Sequence, residues 1–273
     1  MLTQAEKARA FRLLHEGKGA FIIPNPWDLG TARILAQFGF QALATTSAGY
    51  ACSAGKVDHA VGRTEMMEHV AEIASGSDLP VSADLENGYG DSPETVAETI
   101  RLAATNGAVG GSIEDATGQP DHPIYEKEQA AERIRAAAEA ARSLGFPFTL
   151  TARAENYLYG RPDLNDTIAR LQIYQKAGAD VLYAPGLATA DQIAAVTGSV
   201  DRPVNVLMGL QGVRFSLAEL AAMGVRRVSV GSALFRTTLG AFLRAATEMR
   251  DRGTFAFAQE AISLREMTAI LKR

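Results

Sequence analysis

A closed (β/α)8 barrel is the architecture this sequence predicts, and three observations predict it. Eight short apolar, strand-like runs recur along 273 residues, with helix-like segments between them. Five helical segments end in a glycine followed directly by an apolar residue that begins the next strand, at Gly39, Gly107, Gly145, Gly178 and Gly224. The first strand-like run leads into PNPWD at residues 24–28, not into the glycine fingerprint that an open dinucleotide-binding sheet needs there. Alternating elements in this number favour a closed barrel over a doubly wound sheet.

The strand-like runs fall at residues 20–24, 42–46, 81–86, 109–115, 148–153, 181–184, 203–207 and 227–230, each closed by turn residues. Amphipathic stretches at 93–106, 126–144, 165–177 and 216–223 are the clearest helices between them. The glycines of 107–111 read as a helix cap and a tightly packed strand, not a phosphate loop. After the eighth strand come a helical segment over 237–250, a break at 251–253 and a second helical stretch over 255–271. A barrel needs one closing helix, so the last stretch is surplus. Residues 251–273 are therefore a helical extension of a single 1–273 domain, packing on a partner subunit or on their own barrel. No repeat, low-complexity tract or linker interrupts the chain.

With 47% apolar residues, 21% charged and a formal net charge of -4, the composition is that of a soluble globular protein without the basic excess of a nucleic-acid binder. Cys52 is the only cysteine, which excludes an intrachain disulfide and a Cys-rich zinc site and fits a reducing cytoplasm. The first twelve residues are polar and helix-prone, and no apolar run reaches the length of a membrane span. The expectation is a cytoplasmic protein with a small-molecule partner, and neither nucleic acid nor membrane.

In such a barrel the chemistry lies where the strands end, because the loops that follow them converge on one face. Those ends offer Asn25 and Trp27, residues 45–50, Asp84 and Glu86, Glu114 and Asp115, Arg153 and Glu155, Tyr183, Asn205 and Ser232. Asp84 and Glu86 stand two apart on a strand and would share one face, so they need a cation or a shared proton. Hard oxygen ligands favour Mg²⁺, with Mn²⁺ the alternative, over zinc. His15 and His69 fall in helical segments and His59 and His122 in loops, so no strand-end histidine competes. No lysine stands at a strand end to form a Schiff base. The backbone N–H groups of Ser47, Ala48 and Gly49, the Ser47 hydroxyl and the fork of Arg153 describe a pocket for a small acid. Each has a structural alternative: turn residues for Asp84 and Glu86, a helix cap for Asp115, an ion pair for Arg153, and core packing for Trp27 and Tyr183.

With SAG at 47–49, Asp58, DLENGYG at 84–90, SIED at 112–115, TAR at 151–153 and Asn205 in this order, the chain resembles the isocitrate lyase and phosphoenolpyruvate mutase superfamily over about residues 21–250. The resemblance implies a barrel whose final helix is exchanged between subunits of a dimer or a tetramer of dimers, which would give the surplus C-terminal helix its purpose. It implies Asp84 as the direct Mg²⁺ ligand, with Asp58, Glu86 and Glu114 holding the ion largely through its waters. Ser47, Ala48 and Gly49 would cradle the carboxylate and oxygen of a 2-oxo acid, with Arg153 and Asn205 on its other side, and Arg153, Glu114 and Ser47 would carry the catalysis. Members share an enolate-like or oxyanion intermediate beside the metal.

Two departures stand out. Glu86 replaces the second aspartate of the family's Asp-x-Asp, and the loop at 116–125 has neither the Lys-Cys-Gly-His-type segment of the isocitrate and methylisocitrate lyases nor the lysine and Asn-Ser pair of the phosphonate-forming mutases. The expected activity is a Mg²⁺-dependent lyase acting on a small 2-oxo or 2-hydroxy acid. Decarboxylation of an oxaloacetate-like acid is its simplest form, because carbon dioxide leaves without a cysteine acid, and His122 and Tyr125 are the loop's candidate acids. The alternatives are C–P bond formation or hydrolysis, and a catalytically silent 2-oxo-acid-binding protein.

Overall fold

The computed structural model describes residues 2–272. Its strands are β1 (Phe21–Ile23), β2 (Leu43–Ala44), β3 (Val81–Asp84), β4 (Gly110–Glu114), β5 (Thr149–Arg153), β6 (Val181–Tyr183), β7 (Val204–Leu207) and β8 (Arg227–Ser229). They form one parallel sheet in the order β1-β8-β7-β6-β5-β4-β3-β2, a (β/α)8 or TIM barrel closed except at the β1/β2 edge. There the Ala44 N–H reaches the Pro24 carbonyl at 3.1 Å. Asn25 reinforces this seam. Its amide donates to the Thr45 carbonyl (2.9 Å), and its oxygen accepts from the Val230 and Gly231 N–H groups, both at 2.9 Å.

The helices are α1 (Gln4–Glu16), α2 (Leu29–Gln37), α3 (Ser47–Ser53), α4 (Arg63–Ser75), α5 (Pro93–Thr105), α6 (Lys127–Arg142), α7 (Leu164–Ala177), α8 (Ala190–Gly198), α9 (Leu217–Ala222), α10 (Ala233–Arg252) and α11 (Leu264–Leu271). α5 illustrates how the chain specifies them. Ser92 caps its N-terminus, Pro93 occupies the first turn where its missing N–H costs nothing, and Val96, Ile100, Ala103 and Ala104 form its buried stripe. It ends at Asn106 and at Gly107, whose φ of +92° suits glycine. Gly39, Gly178 and Gly224 also take positive φ, whereas Gly145 does not. Alanines at 130, 131, 137, 138, 140 and 141 give α6 a smooth buried face. The apolar core accordingly lies between the sheet and the helices.

α1 closes the N-terminal end of the barrel. Its Phe11 and His15 pack with Phe21 and Val109, residues at or just before strand starts.

Three local expectations are corrected. Residues 47–49 begin α3 instead of lying in a loop, with Thr46 as the cap. The 81–86 run stops being a strand at Asp84, because Glu86 adopts φ +49°. The 255–271 stretch is a short 3-10 turn (Ala256–Gln259) and α11, not one helix. α11 lies on its own barrel against α2, where the Gln37 amide donates to the Ile270 carbonyl. α10 buries none of its residues; Phe242 and Leu243 are 65% and 55% exposed, while Phe235 meets Trp27 edge-on at 5.4 Å. No helix among the described residues is long and apolar enough to cross a membrane.

Two histidines are buried uncharged. His69 of α4 stacks on Tyr50 of α3 at 3.8 Å, and neither ring nitrogen has a partner among the described residues. Burial holds its pKa down at about 4. His15 is held down at about 3, by burial first and then by Arg227. A histidine that resists protonation when folded stabilises the fold fully above its unfolded pKa, and that contribution is lost as pH falls from about 6.5 towards the folded value. His69 alone accounts for a loss on the order of 3 kcal/mol by pH 4. Thermal melts from pH 8 to pH 4 should therefore show a smaller acid-side decline in His69→Phe, with the pH 8 midpoint little changed; an unaltered decline would show that another group governs acid unfolding.

Candidate active site

The strand ends open into a cavity of about 410 Å³ lined by Asp84, Glu114, Arg153, Tyr183 and Asn205, with Asp58, His59 and Tyr159 contributed by loops. Its organising group is Arg153, at the end of β5. Nη1 donates to Asp84 at 2.9 Å, Nη2 lies 3.0 Å from Glu114, and Nε donates to Glu155 at 2.8 Å. β3, β4 and β5 are neighbours, so the register brings these acids together around one guanidinium. Burial works to lower the pKa of Arg153, but Glu114, Glu155 and Asp84 outweigh it and hold the group firmly protonated. Burial, with Glu155 and Asp84 nearby, pushes Glu114 well above the usual carboxylate range despite the pull of Arg153.

Asp84 is held on both oxygens. Oδ2 accepts from the Ser47 N–H (3.0 Å) and hydroxyl (2.9 Å), and Oδ1 accepts from Ser112 (3.3 Å) as well as Arg153. Its own N–H donates to the Thr45 hydroxyl at 2.8 Å, which ties β3 to β2. Within the expected cradle, the Ser47 N–H therefore serves Asp84, and the Gly49 N–H donates to Thr46. The Ala48 N–H has no partner among the described residues, and Ala48 lines the cavity.

Glu86 does not share the face of Asp84. Its left-handed backbone turns the side chain out of the strand's alternation, so it lines an adjoining cleft with Tyr89 and Gly90. There Oε2 meets His59 Nδ1 at 3.3 Å, while Oε1 is buried with no partner. His59, itself at φ +62°, also lies 4.0 Å from Asp58 and 3.5 Å from the Tyr159 hydroxyl. The hydrogen bond to Glu86 lifts its pKa to about 9 against the effect of burial, so the ring is cationic at neutral pH. Ligand atoms of Asp58, His59 and Glu86 all lie within 4.8 Å of one another.

The donor set fits a divalent metal. Five carboxylates, on Asp58, Asp84, Glu86, Glu114 and Glu155, face two cationic side chains, Arg153 and His59. Glu86, which carries the orphaned oxygen, belongs to the cluster with Asp58 and His59. A hard cation would favour the ionised form of these buried acids, Glu114 among them, and give Glu86 a partner.

The remaining expected residues are distributed as follows. Asp115 is not a helix cap: it is buried and accepts from the Glu155 N–H (2.8 Å), Arg170 (3.0 Å) and the Tyr174 hydroxyl (2.6 Å), which positions Glu155. Asn205 lines the cavity, with its amide on Ser229 and its oxygen on Arg227, both at 2.9 Å. Trp27 lies outside the cavity, on Phe235. No residue of the 116–125 loop lines it; the Tyr125 hydroxyl donates to Asp91, its ring faces Arg133 at 4.2 Å, and His122 is exposed. His59, Tyr159 and Arg227 are site residues that sequence reasoning passed over. The one available signal was His59 standing next to Asp58 in a loop.

Comparison with known proteins agrees with this geometry. A structure from Burkholderia cenocepacia J2315, provisionally described as a lyase/mutase, is 66% identical, covers 97% of this chain and 95% of its own, and superposes with a TM-score of 0.95. Oxaloacetate decarboxylase 1 of Pseudomonas putida (strain W619) is 28% identical over 83% of this chain and 78% of its own. The 2-methylisocitrate lyase of Halalkalibacterium halodurans is 26% identical over 92% and 85%. The phosphoenolpyruvate phosphomutase family model matches residues 11–250. The chain is thus an enzyme of that family, within the isocitrate lyase and PEP mutase superfamily of lyases and mutases.

Proposed function

We propose that this enzyme is a Mg²⁺-dependent lyase acting on a small 2-oxo or 2-hydroxy acid, with decarboxylation of an oxaloacetate-like acid as its simplest reaction. The observation that carries this reading is the excess of carboxylates at the mouth of a small cavity whose other walls offer Arg153, Asn205 and the Ala48 N–H. Such a site suits a hard cation together with an acid. The similarity to oxaloacetate decarboxylase 1 supports the choice of substrate.

Asp84, Asp58, Glu86 and Glu114 are the residues proposed to hold the ion, with Mn²⁺ as the alternative metal. When bound, the metal would neutralise negative charge developing on the acid's 2-oxygen as the bond breaks. Ser47 and Ser112 fix the Asp84 carboxylate, and Arg153 keeps the three acids at one spacing. The Ala48 N–H is a donor available to the acid, and Asn205 bounds its far side. Breaking a C–C bond leaves an electron pair on carbon that must take a proton. Tyr159 lines the cavity, and burial pushes its pKa up to about 12, so its hydroxyl retains a proton at neutral pH. It replaces His122 and Tyr125 as the candidate donor.

We also propose a homo-oligomer, dimer or tetramer, in which α10 is exchanged between barrels. The support is α10 itself, a 20-residue helix with apolar side chains and no buried residue.

Two outcomes are expected. Pyruvate should form from oxaloacetate above the metal-catalysed background, stop with EDTA and return with Mg²⁺, and Asp84→Ala should lower kcat/KM by roughly 10²–10³. Turnover undiminished in that variant would overturn the metal assignment; phosphate release from phosphonopyruvate alone would move the activity to C–P chemistry, and Mg²⁺-dependent binding of 2-oxo acids without turnover would mark a silent binder. Sedimentation should find an oligomer that Phe242→Glu dissociates, whereas a wild-type monomer would remove the exchanged helix from the account.

A further inference from the structure

The cavity has a second end, and it is cationic. Arg227 opens β8, is 5% exposed and lines the cavity at its floor, where Nη1 lies 3.5 Å from His15 Nε2 of the closing helix α1. Its other contacts are Nε to the Asn205 oxygen at 2.9 Å and Nη2 to the Thr151 hydroxyl at 3.0 Å. All three acceptors are neutral. His15 Nδ1 lies 2.8 Å from the Phe11 carbonyl, which can only accept, so Nδ1 carries the proton and Nε2 offers its lone pair to Arg227.

Three arginines line this cavity, and their surroundings differ. Arg153 is matched by three carboxylates, and Arg236 is exposed on α10 at the mouth. Arg227 has no carboxylate within ion-pair distance among the described residues, and its neutral acceptors leave guanidinium N–H groups over. A buried cation without a counter-charge is costly, and a guanidinium binds a carboxylate better than any neutral acceptor.

We propose that Arg227, positioned by Asn205 and Thr151, is an anion subsite that receives a second acid group of the substrate, so that the enzyme is specific for di-acids. This rests on the reading of the cavity as a site for 2-oxo or 2-hydroxy acids. The 2-oxo or 2-hydroxy end lies at the acid-lined mouth and the distal carboxylate at the floor.

The test compares matched ligands that differ only at the far carbon: malate with 2-hydroxybutyrate, and 2-hydroxyglutarate with 2-hydroxyvalerate. Binding is measured by calorimetry in Mg²⁺ on the full-length enzyme, with Arg227→Met, Arg227→Lys and Arg236→Gln alongside. In at least one pair the di-acid should bind about tenfold or more tightly than its partner. Arg227→Met should bring that pair within about twofold while the mono-acid's affinity holds, and Arg227→Lys should keep part of the preference. Arg236→Gln should leave the preference in place. Equal binding within both wild-type pairs overturns the subsite and leaves the functional reading standing. A preference that survives Arg227→Met, or that is lost in Arg236→Gln instead, also overturns it, and a purely structural Arg227 would lower both members of a pair together. If no acid binds, the functional reading fails and the subsite with it. Should Arg227→Met not fold, the wild-type pairs and Arg227→Lys still decide.

Discussion

Three carboxylates at or just past the ends of adjacent strands would repel one another if each were left to find its own partner. One guanidinium in their midst turns that repulsion into a constraint: Asp84, Glu114 and Glu155 all meet Arg153, so their spacing is set by a rigid planar fork and not by three separate side chains. Other contacts serve the same purpose. Ser47 fixes the far oxygen of Asp84 and Ser112 shares the near one with Arg153, and Arg170 and Tyr174 hold the Asp115 carboxylate that in turn holds the Glu155 backbone. Barrel interiors of this class are usually filled by branched apolar residues. This one places Ser82, Ser112, Thr151, Asn205, Arg227 and Ser229 there, beside Ile23, Ala44 and Leu207, with the main apolar core between strands and helices. The barrel thus encloses a cavity whose wall mixes charged, polar and apolar side chains.

The fold was largely legible because its signals are local. Short apolar runs, helix stripes and glycine caps at Gly107 and Gly178 each report on a few consecutive residues, and β3 to β8 emerge close to the runs that announce them. Glu86 illustrates the limit of that reasoning. Its expected position followed from strand alternation, which lapses once the chain leaves the β-region at that residue. His59 was invisible for a related reason: a loop histidine carries no periodicity, and only the tertiary fold brings it to Glu86. Arg227 begins a strand and reads as an edge-of-sheet charge until the barrel closes around it.

His59, Glu86 and Tyr89 are the non-glycine residues with positive φ among those described. Conformations of this kind cost of order 1–3 kcal/mol each and persist only where surrounding contacts enforce them. Arg133 supplies that enforcement for two of the three, since it donates to the carbonyls of Asn87, Gly90 and Asp91 while its guanidinium lies over Tyr125. Glu86, one of the acids proposed to hold the metal, is therefore kept in its conformation by a helix on the outside of the barrel.

Asn25 gives the seam between β1 and β2 a particular character. Elsewhere neighbouring strands share a ladder, but here a single main-chain bond and one side-chain amide join the first strand to the second, and the same amide oxygen gathers the turn after β8. A ring with one thin joint deforms at that joint. Thr45, which receives the Asn25 amide, also receives the Asp84 N–H, so any widening at the seam is felt at once by the carboxylate on the other side of β2. The joint with the fewest main-chain bonds thus borders the carboxylate that Ser47, Ser112 and Arg153 hold in place.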